Sequence, residues 1–293
     1  MFYSKQNNHP TVQPFNRSTN NLFITLKQET QITGNGLMKN KPCTVRFFPS
    51  KAGKIRYFVG GEEFEATTDN VLSTDHCVVL GKNKAQAMLT EHLTAALAFC
   101  GIDSLDICLD EMEVPALDGS SKQWVEVFKD AGIDKPLLYK PQKYTVSEPV
   151  YYLNGKTSLV ILPAEDLFIS YAVNYDHKDL RQCFVNYNPK NQQEIIEART
   201  FGFYKDLRKF QMLGFAKGVN IDNTVGLTDE GYTTELRSDK EPVKHKMLDL
   251  VGDLYLTGIN PLNLKCQILA KEAGHAVHIK VAKILKDKIV ECK

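Results

Sequence analysis

The chain has 293 residues, 43% of them hydrophobic, and a formal charge of +1. That is enough apolar material for one large core or two modest ones, and a balanced charge with no block of Lys or Arg gives no reason to expect nucleic acid as a partner. Seven scattered cysteines without a CxxC pair argue against a disulfide framework or a cysteine zinc site and for a reducing, cytoplasmic compartment, and no apolar run reaches the roughly 20 residues that span a bilayer.

Residues 1–28 carry Lys5, Arg17 and Lys27 but no acidic residue and no apolar core of a secretory signal. Residues 1–20 read as a disordered extension, with an organelle-targeting prefix as the second reading. Short β-rich runs follow at Leu22–Gln28 and Cys43–Phe48, separated by Gly34-Asn35-Gly36 and Pro42. Ile55–Glu65 predicts a hairpin about Gly60-Gly61, and Cys77–Leu80 a further strand. Apolar residues at helical spacing predict a helix over 84–99, ended by Gly101, with His92 on its apolar face. Leu105–Leu109 reads as a strand, Asp118-Gly119 as a turn and Lys122–Ala131 as a helix.

The second half repeats this plan. A helix is expected from Pro242 to Tyr255, with proline in the first turn where no backbone donor is needed. Leu264–Ala270 follows as a strand, Ala273-Gly274 as a turn and His275–Leu285 as a helix. The fold class expected is therefore α+β, in two domains of similar architecture, each a β-sheet with helices on one face, with the active site between them. Pro136 and Pro141 bracket a linker, so the domains are drawn as 21–136 and 137–293.

Two segments carry the chemistry. His245, Asp249 and Asp253 stand four residues apart, so on a helix they share one face and the first two can reach one metal ion. Glu91-His92 adds a second imidazole with a carboxylate beside it. Two histidines and an aspartate form the ligand set of a zinc hydrolase that keeps one position open for water, and a spare glutamate can take the water's proton. Each segment also has a plainer reading: a polar helix face paired with Lys244 or Lys246, and a satisfied core histidine. His275 follows Gly274 at a helix start, where it can donate to an oxyanion or a leaving amine, whereas His278 reads as a surface histidine without a role. Thr200, beside Phe201 and Phe203, offers a hydroxyl donor or is simply a strand end. Phe203, Phe210, Met212, Leu213 and Phe215 form either core or the wall of an apolar groove.

These blocks coincide in order and near-matching spacing from about Leu22 to Leu285 with one family. Thr90-Glu91-His92-Leu93, Asp118-Gly119-Ser120, Arg199-Thr200-Phe201-Gly202-Phe203, His245-Lys246-Met247-Leu248-Asp249 with Gly252-Asp253-Leu254, and Gly274-His275-Ala276 resemble the UDP-3-O-acyl-N-acetylglucosamine deacetylases, zinc enzymes of lipid A biosynthesis. The resemblance implies Zn2+ on His92, His245 and Asp249, with Glu91 as general base. It implies His275 as the cationic partner oriented by Asp253, and Thr200 as oxyanion donor. Lys246 would meet an anionic part of an acylated UDP-amino sugar, Phe201 and Phe203 would pack near the substrate, and an insert at about 200–226 that includes Leu213 would form an acyl-chain passage. A monomer without other partners is expected. Three segments depart from the family pattern. Met38 and Asn40 replace the histidine and last glycine of Gly-x-Gly-Leu-His-x-Gly, Ser238 replaces the Phe of Leu-Arg-Phe, and the turn after the acyl insert reads Gly218-Val219-Asn220-Ile221-Asp222-Asn223. They leave room for a related deacylase with another N-acyl amino sugar, or for a non-catalytic descendant that binds a sugar nucleotide.

Overall fold

Alternating buried and exposed side chains lay out two five-stranded sheets in the computed structural model, which describes residues 22–292. The expected extension at residues 1–20 lies outside the described residues. The first sheet runs Thr30–Asn35, Pro42–Pro49, Leu105–Leu109, Ile55–Val59, Glu62–Glu65 in spatial order. The second runs Val150–Asn154, Thr157–Pro163, Cys266–Lys271, Phe168–Val173, Cys183–Asn186. In each, the strand latest in sequence lies at the centre, antiparallel to the second strand and parallel to the third. One topology is thus used twice, as the repeated order of motifs predicts.

Among the described residues six α-helices complete the fold: α1 (Glu91–Cys100), α2 (Lys122–Ala131), α3 (Gln192–Ile196), α4 (Tyr204–Met212), α5 (Glu241–Tyr255) and α6 (His275–Lys286). α1 and α5 each precede the central strand of their own sheet, and α2 and α6 each follow it, so the repeat extends to the helices. α1 packs on α5, α1 on α2 and α5 on α6. Apolar residues of both sheets and of these helices form one continuous core, with Trp124, Phe47, Phe128, Tyr57 and Tyr171 among its largest members.

The predicted helix over 84–99 is shorter than expected. Ala85–Met88 forms a strand, paired with Val79–Lys82 across a turn in which Asn83 has φ 56°. Leu89, at φ 62°, then interrupts the backbone before α1 begins. Ala, Gln and Met favour helix, but sheet pairing and the bonds between Met88 and residues 112 and 114 override that weak preference. The run at Leu22–Gln28 contracts to a two-residue strand, Thr25–Leu26.

The contact between α1 and α5 is unusually close because of Gly252. A Cβ at this position would lie 2.2 Å from Glu91 O and 3.1 Å from Ala95 N. Both obstacles are backbone atoms and cannot rotate away. Gly252→Ala is therefore expected to lower stability by about 1–3 kcal/mol, although alanine is intrinsically better in a helix by ~1 kcal/mol. Urea unfolding measures this, and a variant as stable as the wild type would show the helices free to separate.

Candidate active site

The first turn of α1 supplies Glu91 and His92, and one stripe of α5 supplies His245, Asp249 and Asp253. All five side chains are buried. The apolar neighbours Met247, Leu248, Leu250 and Val251 are fully buried as well, so α5 is held on all sides rather than at a solvent face. Its start is tied to Arg199 and Arg237, which lie on either side of the insert. Glu241 accepts from the backbone and side chain of Arg199 at 2.9 Å and from the Arg237 backbone at 2.7 Å. Burial disfavours the Glu241 carboxylate, but Arg199 outweighs it and holds the pKa below the usual range.

His92, His245 and Asp249 converge, with one potential ligand atom from each lying within 4.8 Å of the others. Asp249 Oδ1 is 3.3 Å from His245 Nε2 and 3.7 Å from His92 Nε2. His245 Nδ1 donates to Ala198 O at 3.0 Å, which leaves Nε2 free to bind a cation. Burial, reinforced by His245, pushes His92 down to about 3, and burial lowers His245 too, so both rings stay neutral as metal binding requires. Burial opposes ionisation of Asp249, yet Lys246 and His245 keep it far below the usual carboxylate range. Its Oδ1 is buried without a hydrogen-bond partner among the described residues, a costly state that a bound cation would relieve. The donor set therefore fits a divalent metal of the zinc type.

Glu91 sits beside this cluster. Its Oε2 accepts from Val78 N at 3.0 Å, and its Oε1 lies 3.8 Å from His275 Nε2. Burial pushes Glu91 up to about 7, a value suited to a general base. His275 Nδ1 donates to Asp253 Oδ2 at 2.8 Å. Burial works against its cation, but Asp253 and then Asp249 overcome this and hold His275 up at about 9.

His278 corrects the sequence reading. It is fully buried, donates from Nδ1 to the same Asp253 Oδ2 at 2.7 Å, and lies with Nε2 3.2 Å from Tyr171 Oη. His275 and His278 are three apart on α6, so both face α5; that spacing was the available signal. Tyr171 comes from the second sheet and no local pattern marks it.

Phe201 borders the cluster, its ring 6.1 Å from that of His245, and Phe201 and Thr200 both line a cavity. This cavity, of about 630 Å³, extends past Phe203, Leu207, Phe210 and Phe215 to Met38. Leu213 does not line it. α4 ends at Met212, and Gly214, at φ 86°, turns the chain so that Phe215 returns to the wall while Leu213 stays 63% exposed. Met212 is left outside in the same way. Lys246 donates to Asp249 Oδ2 at 2.7 Å, the pairing that the plainer reading of this helix face offered. Of the departing residues, Ser238 accepts from Lys244 Nζ at 3.1 Å, and Met38 joins the cavity wall.

Residues 24–287 match the family model described as LpxC, UDP-3-O-acyl N-acetylglycosamine deacetylase. The chain belongs to this family. Among its relatives, the UDP-3-O-acyl-N-acetylglucosamine deacetylase of Leptospira biflexa is 34% identical over 275 residues, covering 90% of each chain. Proteins of the same name from Trichormus variabilis and Bdellovibrio bacteriovorus are 32% and 30% identical, covering 88% and 90% of this chain and 96% and 89% of theirs. The motif blocks that carry the resemblance to the LpxC family all fall within the matched span.

A histidine at a bond donor's position in a buried network differs measurably from a surface one. His278→Leu is expected to cost about 1.5–3 kcal/mol through loss of a hydrogen bond to a charged group. Replacement at a surface position stays within ~0.5 kcal/mol. Thermal and urea unfolding separate the two.

Proposed function

We propose that this chain hydrolyses the N-acetyl group of UDP-3-O-acyl-N-acetylglucosamine, giving the free amine and acetate, the committed step of lipid A biosynthesis. The observation that carries the reading is the joint placement of a His2Asp donor set, a buried glutamate with raised pKa and a carboxylate-held histidine at the head of an apolar cavity. Family membership supplies the substrate class. A cytoplasmic location belongs to the same reading.

His92, His245 and Asp249 would hold zinc. When bound, the ion supplies Lewis acidity, polarising the amide carbonyl and acidifying the attacking water. Glu91 takes the proton from that water through a carboxylate oriented by the Val78 amide. Thr200 donates its hydroxyl proton as a hydrogen bond to the oxyanion that develops on the carbonyl oxygen. His275 Nε2–H gives a proton to the departing nitrogen as the C–N bond breaks, and Asp253 keeps the imidazolium aligned through Nδ1. Phe201 packs beside the ligands, near the sugar, while Phe203, Phe210 and Phe215 line the path of the acyl chain. Lys246 holds Asp249 in position and stands close enough to the cluster to contribute positive charge toward an anionic substrate.

Loss of a ligand and loss of the base should separate cleanly. Asp249→Ala is expected to abolish tight zinc binding by elemental analysis, because two imidazoles alone hold the ion poorly. Glu91→Gln should keep the ion and lower the rate of acetate release by ~10²–10⁴. Full zinc occupancy in the first variant, or near-normal turnover in the second, would overturn the assignment.

The rate should be bell-shaped in pH. Activity needs Glu91 ionised, so it is lost as pH falls through the acid limb, where Glu91 titrates at about 7 before any lowering by a bound cation. It also needs His275 protonated, so it is lost as pH rises through about 9. The limbs belong to the coupled site rather than to single residues. Asp253→Asn removes the charge that holds the proton on His275 and should move the alkaline limb to lower pH. An alkaline limb that stays in place would remove Asp253 from the mechanism.

A further inference from the structure

We propose that the tip of the insertion, the end of α4 and the loop after it, docks on the surface of an anionic lipid bilayer. In this arrangement Met212 and Leu213 enter the headgroup region, and Arg208, Lys209 and Lys217 meet lipid phosphates. α4 has nine residues and none of them is buried. Leu207 and Phe210 use its inner side to line the cavity. Past them the chain leaves Met212 77% and Leu213 63% exposed, with Ile221 66% exposed nearby in sequence. Large apolar side chains exposed together in so short a segment mark an interaction surface rather than ordinary scatter.

The charge around the tip selects the occupant. Between Tyr204 and Asp222 the chain has four basic residues, Lys205, Arg208, Lys209 and Lys217, against Asp206 and Asp222, whereas the whole chain is nearly balanced. Lys205 is engaged over the Phe203 ring at 5.4 Å. Arg208, Lys209 and Lys217 are exposed and make no ion pair among the described residues. Apolar side chains with basic residues beside them are the pattern of an interfacial helix on a negatively charged membrane. The tip also adjoins an apolar cavity of about 630 Å³, so a docked molecule would hold that cavity close to the hydrocarbon boundary. Protruding Met and Leu side chains, neither of them branched at Cβ, suit a fluid interior better than a shaped protein pocket.

Flotation of the full chain with lipid vesicles tests this without measuring turnover, so the outcome is independent of the catalytic reading. The probes are vesicles of phosphatidylcholine alone and of phosphatidylcholine with phosphatidylglycerol. The protein should float with the anionic vesicles, less so as salt is raised, and not with the neutral ones. Met212→Ser with Leu213→Ser, and separately Arg208→Glu with Lys209→Glu, should each weaken binding at least ~10-fold. These positions are exposed, and circular dichroism would check that each pair leaves the fold intact. Absence of binding to anionic vesicles, or binding that both pairs retain, overturns the proposal. Self-association that the Met212→Ser, Leu213→Ser pair abolishes, without vesicle binding, overturns it as well and gives the tip to a second copy of the chain.

Discussion

The close contact of α1 with α5 is the constraint on which the site depends. Because Gly252 has no Cβ, Glu91 O can approach the α5 backbone far closer than any side chain would permit. Glu91 and His92, in the first turn of one helix, are thereby brought against the His245, Asp249 and Asp253 stripe of the other. Each half of the molecule holds part of the donor set, and neither can assemble it alone. The repeated sheet topology makes this possible: the two helices occupy equivalent places in their own sheets and meet where the sheets' cores join.

Burying this many ionisable groups is expensive, with an effective cost of several kcal/mol per uncompensated ion. The arrangement offsets it by alternating sign. Lys246 sits on Asp249, the His275 imidazolium on Asp253, and the imidazoles of His92 and His245 remain neutral. Two of its carboxylate oxygens, Asp249 Oδ1 and Asp253 Oδ1, still lack hydrogen-bond partners among the described residues. The first faces the ligand imidazoles, where a cation would complete the charge balance. His278 and Tyr171 extend the network on the far side of Asp253, so the carboxylate that binds His275 is itself held from behind.

Beside the polar cluster the structure turns abruptly apolar. The strand Thr200–Phe203 leads from Phe201, beside His245, into α4, and Thr200 and its two aromatic residues line the cavity. Met38 reaches the same wall from the first half, held by a loop whose backbone donates to Glu113. A methionine where the family pattern has histidine makes that wall more apolar without touching the donor set, so this departure bears on the shape of the cavity rather than on the hydrolytic groups.

Much of this was legible in the sequence because helices write their geometry into spacing. His245, Asp249 and Asp253 at intervals of four must share a face of α5 whatever else the chain does, and Glu91-His92 at the start of an apolar run needs only the α1 helix to be placed. The order of strands, helices and glycines likewise announced the repeat. Tertiary structure alone decided the rest. Ala85–Met88 became a strand because pairing partners distant in sequence outweighed a small local preference. His278 was drawn inside because α6 packs on α5, and Leu213 was left outside because the chain turns at Gly214. Spacing reports which residues share an element's face; only the packing of elements determines what that face meets, since burial and partner choice depend on atoms that lie far away along the chain.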